Sequence, residues 1–376
     1  MRMRARISSI HRDERGVTLA FVAVTIFVLL GVTALAVDFG ALYFDRRAMV
    51  NAADAASLAA AEAYALNEAQ CGSADAPAED KAYQLATANV PSAKKDNRSG
   101  NSSYVVDCGK GTVTVRYYKD HSYYFAPALG IGDAQVAAKA SAAWGPAGGA
   151  GGVLPVMVSA GRLSSCDIPG GVKGQDCYFY VNNSGSGYGD ASWALLNVQP
   201  DCGQSQFGWN VSVSQCPSKV NPGPTYNCPS WGDSSLRNLI ANGSGQLSMD
   251  PSGDTYVCLV KGQHVPVFGD IQALQGKTRL FPVNDPNGQI KSGGALCPPP
   301  DCDPDMWDII GFIQMEIVQV LRGQPQVTWP AECLALGPKD SNAWCLHAVW
   351  IDFTHVPGGI CDTCENFGVY ATQLIG

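Results

Sequence analysis

The sequence predicts an α+β protein. A long N-terminal transmembrane helix leads through a small β-hairpin or strand region into a mostly antiparallel β, disulfide-rich ectodomain. Three observations predict it. Residues 17–37 are 21 positions without a charge and run on into an Ala-rich stretch. All 14 cysteines fall at or after Cys71. Beyond residue 152, short apolar runs alternate with clusters of Gly, Pro, Asn and Ser, the texture of strands joined by turns.

The first element is a basic tail, residues 1–16, where Arg2, Arg4, Arg6, Arg12 and Arg15 stand against Asp13 and Glu14. Residues 17–37 follow. At about 1.5 Å per residue they span roughly 30 Å, the thickness of a bilayer's hydrocarbon core. The basic flank predicts a cytoplasmic N-terminus, and so an extracytoplasmic C-terminal domain in a single-pass cell-membrane protein. A cleavable signal peptide is the competing reading, with Ala34-Leu35-Ala36 as its site. The apolar run is longer than such a peptide needs, and the helical pattern continues past the site.

From Asp38 to Ala69 there is no Pro, and no Gly after Gly40. Ala, the best helix former, dominates. The helix is therefore predicted to reach Gln70, with Cys71-Gly72 and Pro77 ending it. Its small side chains let another backbone approach closely. That backbone can belong to the chain's own domain or to the helix of another subunit.

The same stretch carries a family resemblance. Glu14-Arg15-Gly16 opens it, the apolar run follows, and Ala36-Val37-Asp38-Phe39-Gly40 closes the run. Tyr43, Arg46, Arg47, Asn51-Ala52-Ala53-Asp54-Ala55-Ala56 and Leu58-Ala59 complete it. This resembles the N-terminal segment of the TadE/TadG-like Flp (Tad) pilus-assembly proteins, with Gly16, Asp38, Tyr43, Asn51 and Asp54 as motif positions. A strand at 112–118, then Tyr124-Phe125-Ala126-Pro127-Ala128-Leu129-Gly130-Ile131 and an Ala-rich strand at 136–142, extend the likeness over roughly residues 12–145. Processed pilin-like relatives carry a Glu five residues after the cleavage Gly, where this chain has Phe21. The resemblance therefore implies the TadG-like branch and a retained anchor. It also implies partners: the lipid bilayer, and other Tad pilus-assembly membrane proteins or pilin-like subunits met through the Ala-rich helix. Larger members can carry a von Willebrand A domain with a D-x-S-x-S metal motif. Asp190-Ala191-Ser192-Trp193-Ala194 and Asp233-Ser234-Ser235-Leu236-Arg237 both fail it at the last position.

The domain plan follows: tail 1–16, transmembrane helix 17–37, pilin-like helix extension and strands 38–145, Gly-rich linker 146–152, and ectodomain 153–376. Predicted strands are 153–159, 177–182, 193–198 and 256–260, with longer ones at 308–321 and 343–353. In the first long strand Ile309, Gly311, Ile313, Met315 and Ile317 share the apolar face. In the second, Ala343, Cys345, His347, Val349, Ile351 and Phe353 do. Residues 233–242 read as a short helix.

An even cysteine count confined to the region beyond an apolar segment predicts disulfides formed in an oxidising compartment. The zinc alternative needs two ligand pairs, and only Cys361-x-x-Cys364, near His355, has the spacing. Cys71 and Cys108 are the only cysteines before the linker and are the pair most directly argued. Cys166–Cys177 and Cys202–Cys216 are weaker sequence-near pairings. Cys228, Cys258, Cys297, Cys302, Cys333, Cys345, Cys361 and Cys364 are assigned to disulfides without partners.

Little else suggests chemistry. A net charge of −8 argues against nucleic acid as a partner. There is no H-E-x-x-H and no G-x-S-x-G. Asp301, Asp303, Asp305 and Asp308 form a weak calcium candidate, because Pro304 and a missing distal Glu break the loop pattern. His347, Asp352 and His355 lie close in sequence, and a core role for His347 is the default. No cofactor or catalytic residue is expected, and the nature of any small-molecule ligand is left open. The expected role is structural and non-enzymatic. An anchored surface binding module recognising glycan or protein is the alternative, resting on Tyr188, Trp193, Trp209 and Trp231.

Overall fold

The computed structural model describes residues 15–67, 70–72, 75–100, 102–170, 172–182, 191–195, 237, 240–241, 246–249, 255–259, 267–290, 306–339, 341 and 343–375. The fold is α+β. The chain divides into two compact units. The first comprises Met1–Ala56, Tyr83–Tyr104 and Val115–Ala140; the second comprises Ser57–Ala82, Val105–Thr114 and Ser141–Gly376.

Helix α1 runs Arg15–Ala65. It stops short of the predicted Gln70. Leu66 still donates to Glu62 O, but Asn67 turns left-handed at φ 55° and donates to Tyr64 O instead. Asn is among the few residues that tolerate this conformation, and it ends helices for that reason. A second helix, α2 (Ala76–Asn89), begins where Pro77 was expected only to break one. Near a helix start Pro costs nothing, since the first N–H groups have no helical acceptor.

In the first unit, strand β1 (Lys94–Lys95) pairs antiparallel with β3 (Thr112–His121), on the far side of β2 (Tyr104–Asp107) in sequence. Strand β3 lies beside β4 (Ala134–Pro146). The unit buries Met49, Ala52, Ala53 and Ala56 of α1, Ala86 and Val90, and the inward faces of the strands at Val115, Tyr117, Val136 and Ala138. Burial alternates along both strands, as period two requires.

The second unit starts with the end of α1. Tyr64 stacks on Trp144 with ring centroids 4.6 Å apart, and its hydroxyl donates to Asp75 Oδ1 at 2.9 Å. Cys71 and Cys108 are disulfide-bonded, with Cα atoms 5.7 Å apart. The stretch expected as a linker is built into structure. Pro146 ends β4, Ala147 and Gly148 bond to Val369 O and Gly359 O, and β5 (Gly149–Gly151) pairs with a strand at Gln246–Ser248. Glycine here serves close backbone approach: a Cβ on Gly148 would stand 3.1 Å from Gly359 O.

The rest of this unit centres on a ring of paired strands. They are β6 (Val156–Ser159), β7 (Gln175–Asn182), β8 (Ala191–Leu195), β11 (Lys277–Ile290), β12 (Met306–Arg322) and β13 (Ala343–Trp350). Between them in sequence lie β9 (Gln246–Ser248) and β10 (Thr255–Leu259). From β12 the pairings pass through β11, β6, β8, β7 and β13 and return to β12. Closure removes the exposed edges an open sheet would present. Phe179, Phe281, Ile313, Met315, Ile317, Leu346 and Trp350 belong to one buried cluster. Helices α3 (Ala160–Ser165) and α4 (Val267–Gln272) add Leu163, Val267 and Ile271 to it. Cys166–Cys177 and Cys361–Cys364 are bonded, and Cys333 of α5 (Ala331–Leu336) is bonded to Cys345. Beyond the ring, β14 (Thr354–His355) runs parallel to β15 (Val369–Ile375), which pairs antiparallel with residues 141–146 of β4.

Two bulges revise the predicted face of β12. Val283 opposes Gly311 while Asn284 opposes Ile309, so Ile310 is the extra residue; likewise Val318 is skipped opposite β13. Each extra residue switches the faces. Ile309 therefore packs with Trp307 and Phe312 in a second cluster, while Ile313, Met315 and Ile317 stay with the ring core. Strand β13 is corrected too. Trp344, Leu346, Ala348 and Trp350 face the ring core, and His347 and Val349 lie on the half-buried side.

At the first bulge the chain around 365–367 crosses close over β12. Glu365 N donates to Ile310 O at 2.8 Å, and a Cβ on Gly311 would lie 2.8 Å from Glu365 O and 2.7 Å from the Phe367 ring. Gly311→Ala is expected to cost about 2–3 kcal/mol through overpacking. Chemical denaturation of the purified chain checks this; an unchanged midpoint would exclude the tight crossing.

Candidate functional site

The first 19 residues of α1 whose surroundings are described, 19–37, present apolar side chains on every side. Each large apolar residue from Leu19 to Val37 is exposed, Phe27 at 79% and Leu19 at 76%. Aqueous exposure of twelve such side chains is not how a helix of a water-soluble domain is stabilised. The segment's two hydroxyls are satisfied internally: Thr25 donates to Phe21 O at 2.8 Å and Thr33 to Leu29 O at 2.6 Å. Internal satisfaction is what a hydrocarbon medium demands. Residues 19–65 form the one helix among the described residues long and apolar enough to cross a membrane.

Asp38 is the first ionisable residue after this stretch, and it is 4% exposed. Its carboxylate accepts from three consecutive backbone N–H groups. Tyr124 donates to Oδ1 at 2.8 Å, Ala126 to Oδ2 at 2.7 Å, and Phe125 to both at 3.2 and 3.1 Å. The loop is pre-shaped for this. Pro127 sits in the first turn of a 3-10 helix at Ala126–Leu129, and Gly130 closes it at φ 79°.

Asp45 lies seven residues further, two helical turns on the same face. Its Oδ1 accepts from Lys119 Nζ at 2.7 Å, and its Oδ2 is 2.7 Å from His121 Nδ1. His121 is 3% exposed, and its ring meets Tyr123 edge-on. Burial pushes the Asp45 carboxyl up, but the hydrogen bonds and charges of Lys119 and His121 outweigh it and hold the group below the ordinary carboxylate value. A carboxyl whose folded value is depressed stabilises the fold above its unfolded pKa, about 3.9, and that stabilisation is lost as pH falls through the lower folded value. Amide exchange at Lys119 and His121, corrected for intrinsic rates, is therefore expected to rise below about pH 4. The rise should be absent in Asp45→Asn, which is loosened at all pH values. Equal pH dependence in both proteins would contradict the pairing.

The motif positions read from the sequence divide. Asp38 holds the loop. Tyr43 is 69% exposed and Asn51 is exposed, while Asp54 is half-buried and Gly16 lies within α1. Sequence reading passed over Asp45, Lys119 and His121; the seven-residue spacing of Asp38 and Asp45 was the available signal. The Ala-rich surface is largely covered in the folded chain. Ala52, Ala53, Ala56, Ala59, Ala60 and Ala63 are at most 5% exposed. At these positions the backbone that comes close belongs to the chain's own fold, the first of the two arrangements the small side chains allow.

Elsewhere the candidates stay apart. His347 stacks on Tyr178 at 4.2 Å and pairs with Asp176 Oδ1 at 2.6 Å. Asp352 pairs with Lys173, and His355 Nε2 is 3.0 Å from Thr372 Oγ1. Among the described residues no group of three His, Cys, Asp or Glu is arranged to hold a metal. Asp308 is buried in β12, while Asp301, Asp303 and Asp305 lie outside the described residues. So do residues 1–14, Tyr188, Trp209, Trp231, Cys202, Cys216, Cys228, Cys297 and Cys302, and most of the helix expected at 233–242, of which Arg237, Ile240 and Ala241 are helical. Trp193 belongs to β8 and Cys258 to β10, where strands were predicted at 193–198 and 256–260.

Comparison with known families places a match on this same helix. The family model described as "Putative Flp pilus-assembly TadE/G-like" (Tad) matches residues 16–63. The match does not distinguish the TadE from the TadG branch. Comparison with curated proteins finds no match, and comparison with solved structures finds none.

Proposed function

We propose that this chain is a membrane-anchored structural or assembly component of a bacterial Tad (Flp) type pilus or a related secretion apparatus, and not an enzyme. One observation carries the reading. The segment matched by the pilus-assembly family, 16–63, contains both the apolar span and the two carboxylates that fasten the first unit to it. The anchor and the family signal are one element.

The basic residues before position 16 favour a cytoplasmic N-terminus, with everything after Asp38 outside the cytoplasm. Disulfide-bonded cysteines in both chain segments after residue 70 support that side, since thiols stay reduced in the cytosol. Phe21, in the place of the pilin Glu, supports the TadG-like branch and a subunit retained in the membrane. The partners proposed are the bilayer and other membrane proteins of the pilus system.

In-frame deletion of the gene, with complementation by the intact gene and by an Asp38→Ala version, tests the role. Loss of surface pili on deletion, restored by the intact gene, is the expected result. Unchanged pilus number and surface attachment would reject it.

A further inference from the structure

The loop held by Asp38 has a composition its position explains. From Ser122 to Gly132 there is no charged residue. Tyr124 is 73% exposed, Phe125 49%, Leu129 74% and Ile131 50%. Four large apolar side chains thus face outward within eight residues, on a turn stiffened by Pro127. Such a cluster on a soluble surface marks a contact surface.

Its height along the helix can be read off. Residues 17–37 fill the hydrocarbon thickness, so Asp38 stands at its outer boundary. The N–H groups of Tyr124, Phe125 and Ala126 bond directly to Asp38, so the loop lies at that boundary as well. Lys119 and His121 bond Asp45, about 10 Å higher along the helix by its rise. Between His121 and Ala126 the chain therefore descends towards the bilayer and presents its apolar tip there. Phe39 of α1, 67% exposed, stands at the same level. Aromatic side chains collect at this depth in membrane proteins.

We propose that the 123–131 loop is a second membrane contact, inserting Tyr124, Phe125, Leu129 and Ile131 into the headgroup–acyl boundary beside the helix. The occupant of this surface is lipid. Asp38 sets the depth, and the loop fixes the tilt and rotation of the unit that the helix alone leaves free to swivel. The inference rests on the anchor reading.

The test places a photoreactive benzoylphenylalanine in the full chain, singly, at Leu129, Leu29 or Lys139, in phosphatidylethanolamine–phosphatidylglycerol vesicles. All three side chains are exposed, so the replacements leave packing intact. Illumination is expected to give lipid adducts at Leu29 and Leu129 and none at Lys139. Adducts at Leu29 alone, a Leu129 crosslink to a second copy of the chain, or labelling at Lys139 equal to that at Leu129 would each overturn the loop contact and leave the anchor standing. No adduct at Leu29 would overturn the anchor, and the inference with it.

Discussion

Asp38→Ala is expected to free the 123–131 loop while leaving α1 intact. Three backbone N–H groups lose a charged acceptor at once, and nothing else among the described hydrogen bonds replaces it for Tyr124 or Phe125. Bonds to a charged group are stronger than neutral ones, and donors left unpaired carry a desolvation penalty besides. Amide exchange at Tyr124, Phe125 and Ala126 should rise about tenfold or more, with the ring strands of the second unit unaffected. Asp38→Asn keeps one acceptor oxygen and should fall between. Hydrogen-exchange mass spectrometry of the chain in detergent reads both. Unaltered exchange at these three amides in Asp38→Ala would show that the carboxylate does not hold the loop.

The second large effect is expected from the Cys71–Cys108 bond. It closes a loop with a sequence separation of 37 residues. By chain entropy such a crosslink is worth about 4 kcal/mol. The double variant Cys71→Ser, Cys108→Ser should lower the unfolding midpoint by roughly 10 °C, given the usual dependence of midpoint on stability in domains of this size. The bond also keeps the turn after α1 in place, where Gly72 N donates to Asp75 Oδ1 at 3.1 Å. Loss of the crosslink should therefore weaken the Tyr64–Asp75 bond as well. Calorimetry of the double variant checks the size, and a midpoint equal to that of the parent would remove this bond from the account of stability.

The anchor was legible because its signals are local and redundant. Length, absence of charge and Ala content all point to one helix, and only its last turns differ, where Asn67 adopts a conformation that a propensity argument does not foresee. Helix α2 was missed because Pro77 was read as a stop, although the same residue two positions into a helix is a start. The strands of the second unit were mostly placed, since period two survives in short segments. Their faces were not. Bulges at Ile310 and Val318 switch the alternation of β12, and on β13 the aromatic Trp344 and Trp350 take the core side that a count through His347 had assigned to the other face. Bulges arise from long-range strand pairing, so no window of the sequence contains them. The candidate site was half legible. Asp38 was singled out with the family motif, but its three donors lie 86 to 88 residues away. Contacts at such separations leave no periodic trace.

The Gly-rich stretch 146–152 teaches the opposite lesson about composition. Glycine is used in linkers for freedom and in packed strands for closeness. Here Gly148 and Gly149 pass against the backbone at 358–360, so the same residues that suggested a hinge are part of the packing of the second unit.

The central claim is a retained helical anchor. It is tested most directly by N-terminal sequencing of the mature chain recovered from alkali-washed membranes of cells that assemble the pilus. The account predicts a membrane-retained chain that still contains residues 17–37 ahead of Asp38. A chain that begins at Val37 and is released into the wash would contradict it.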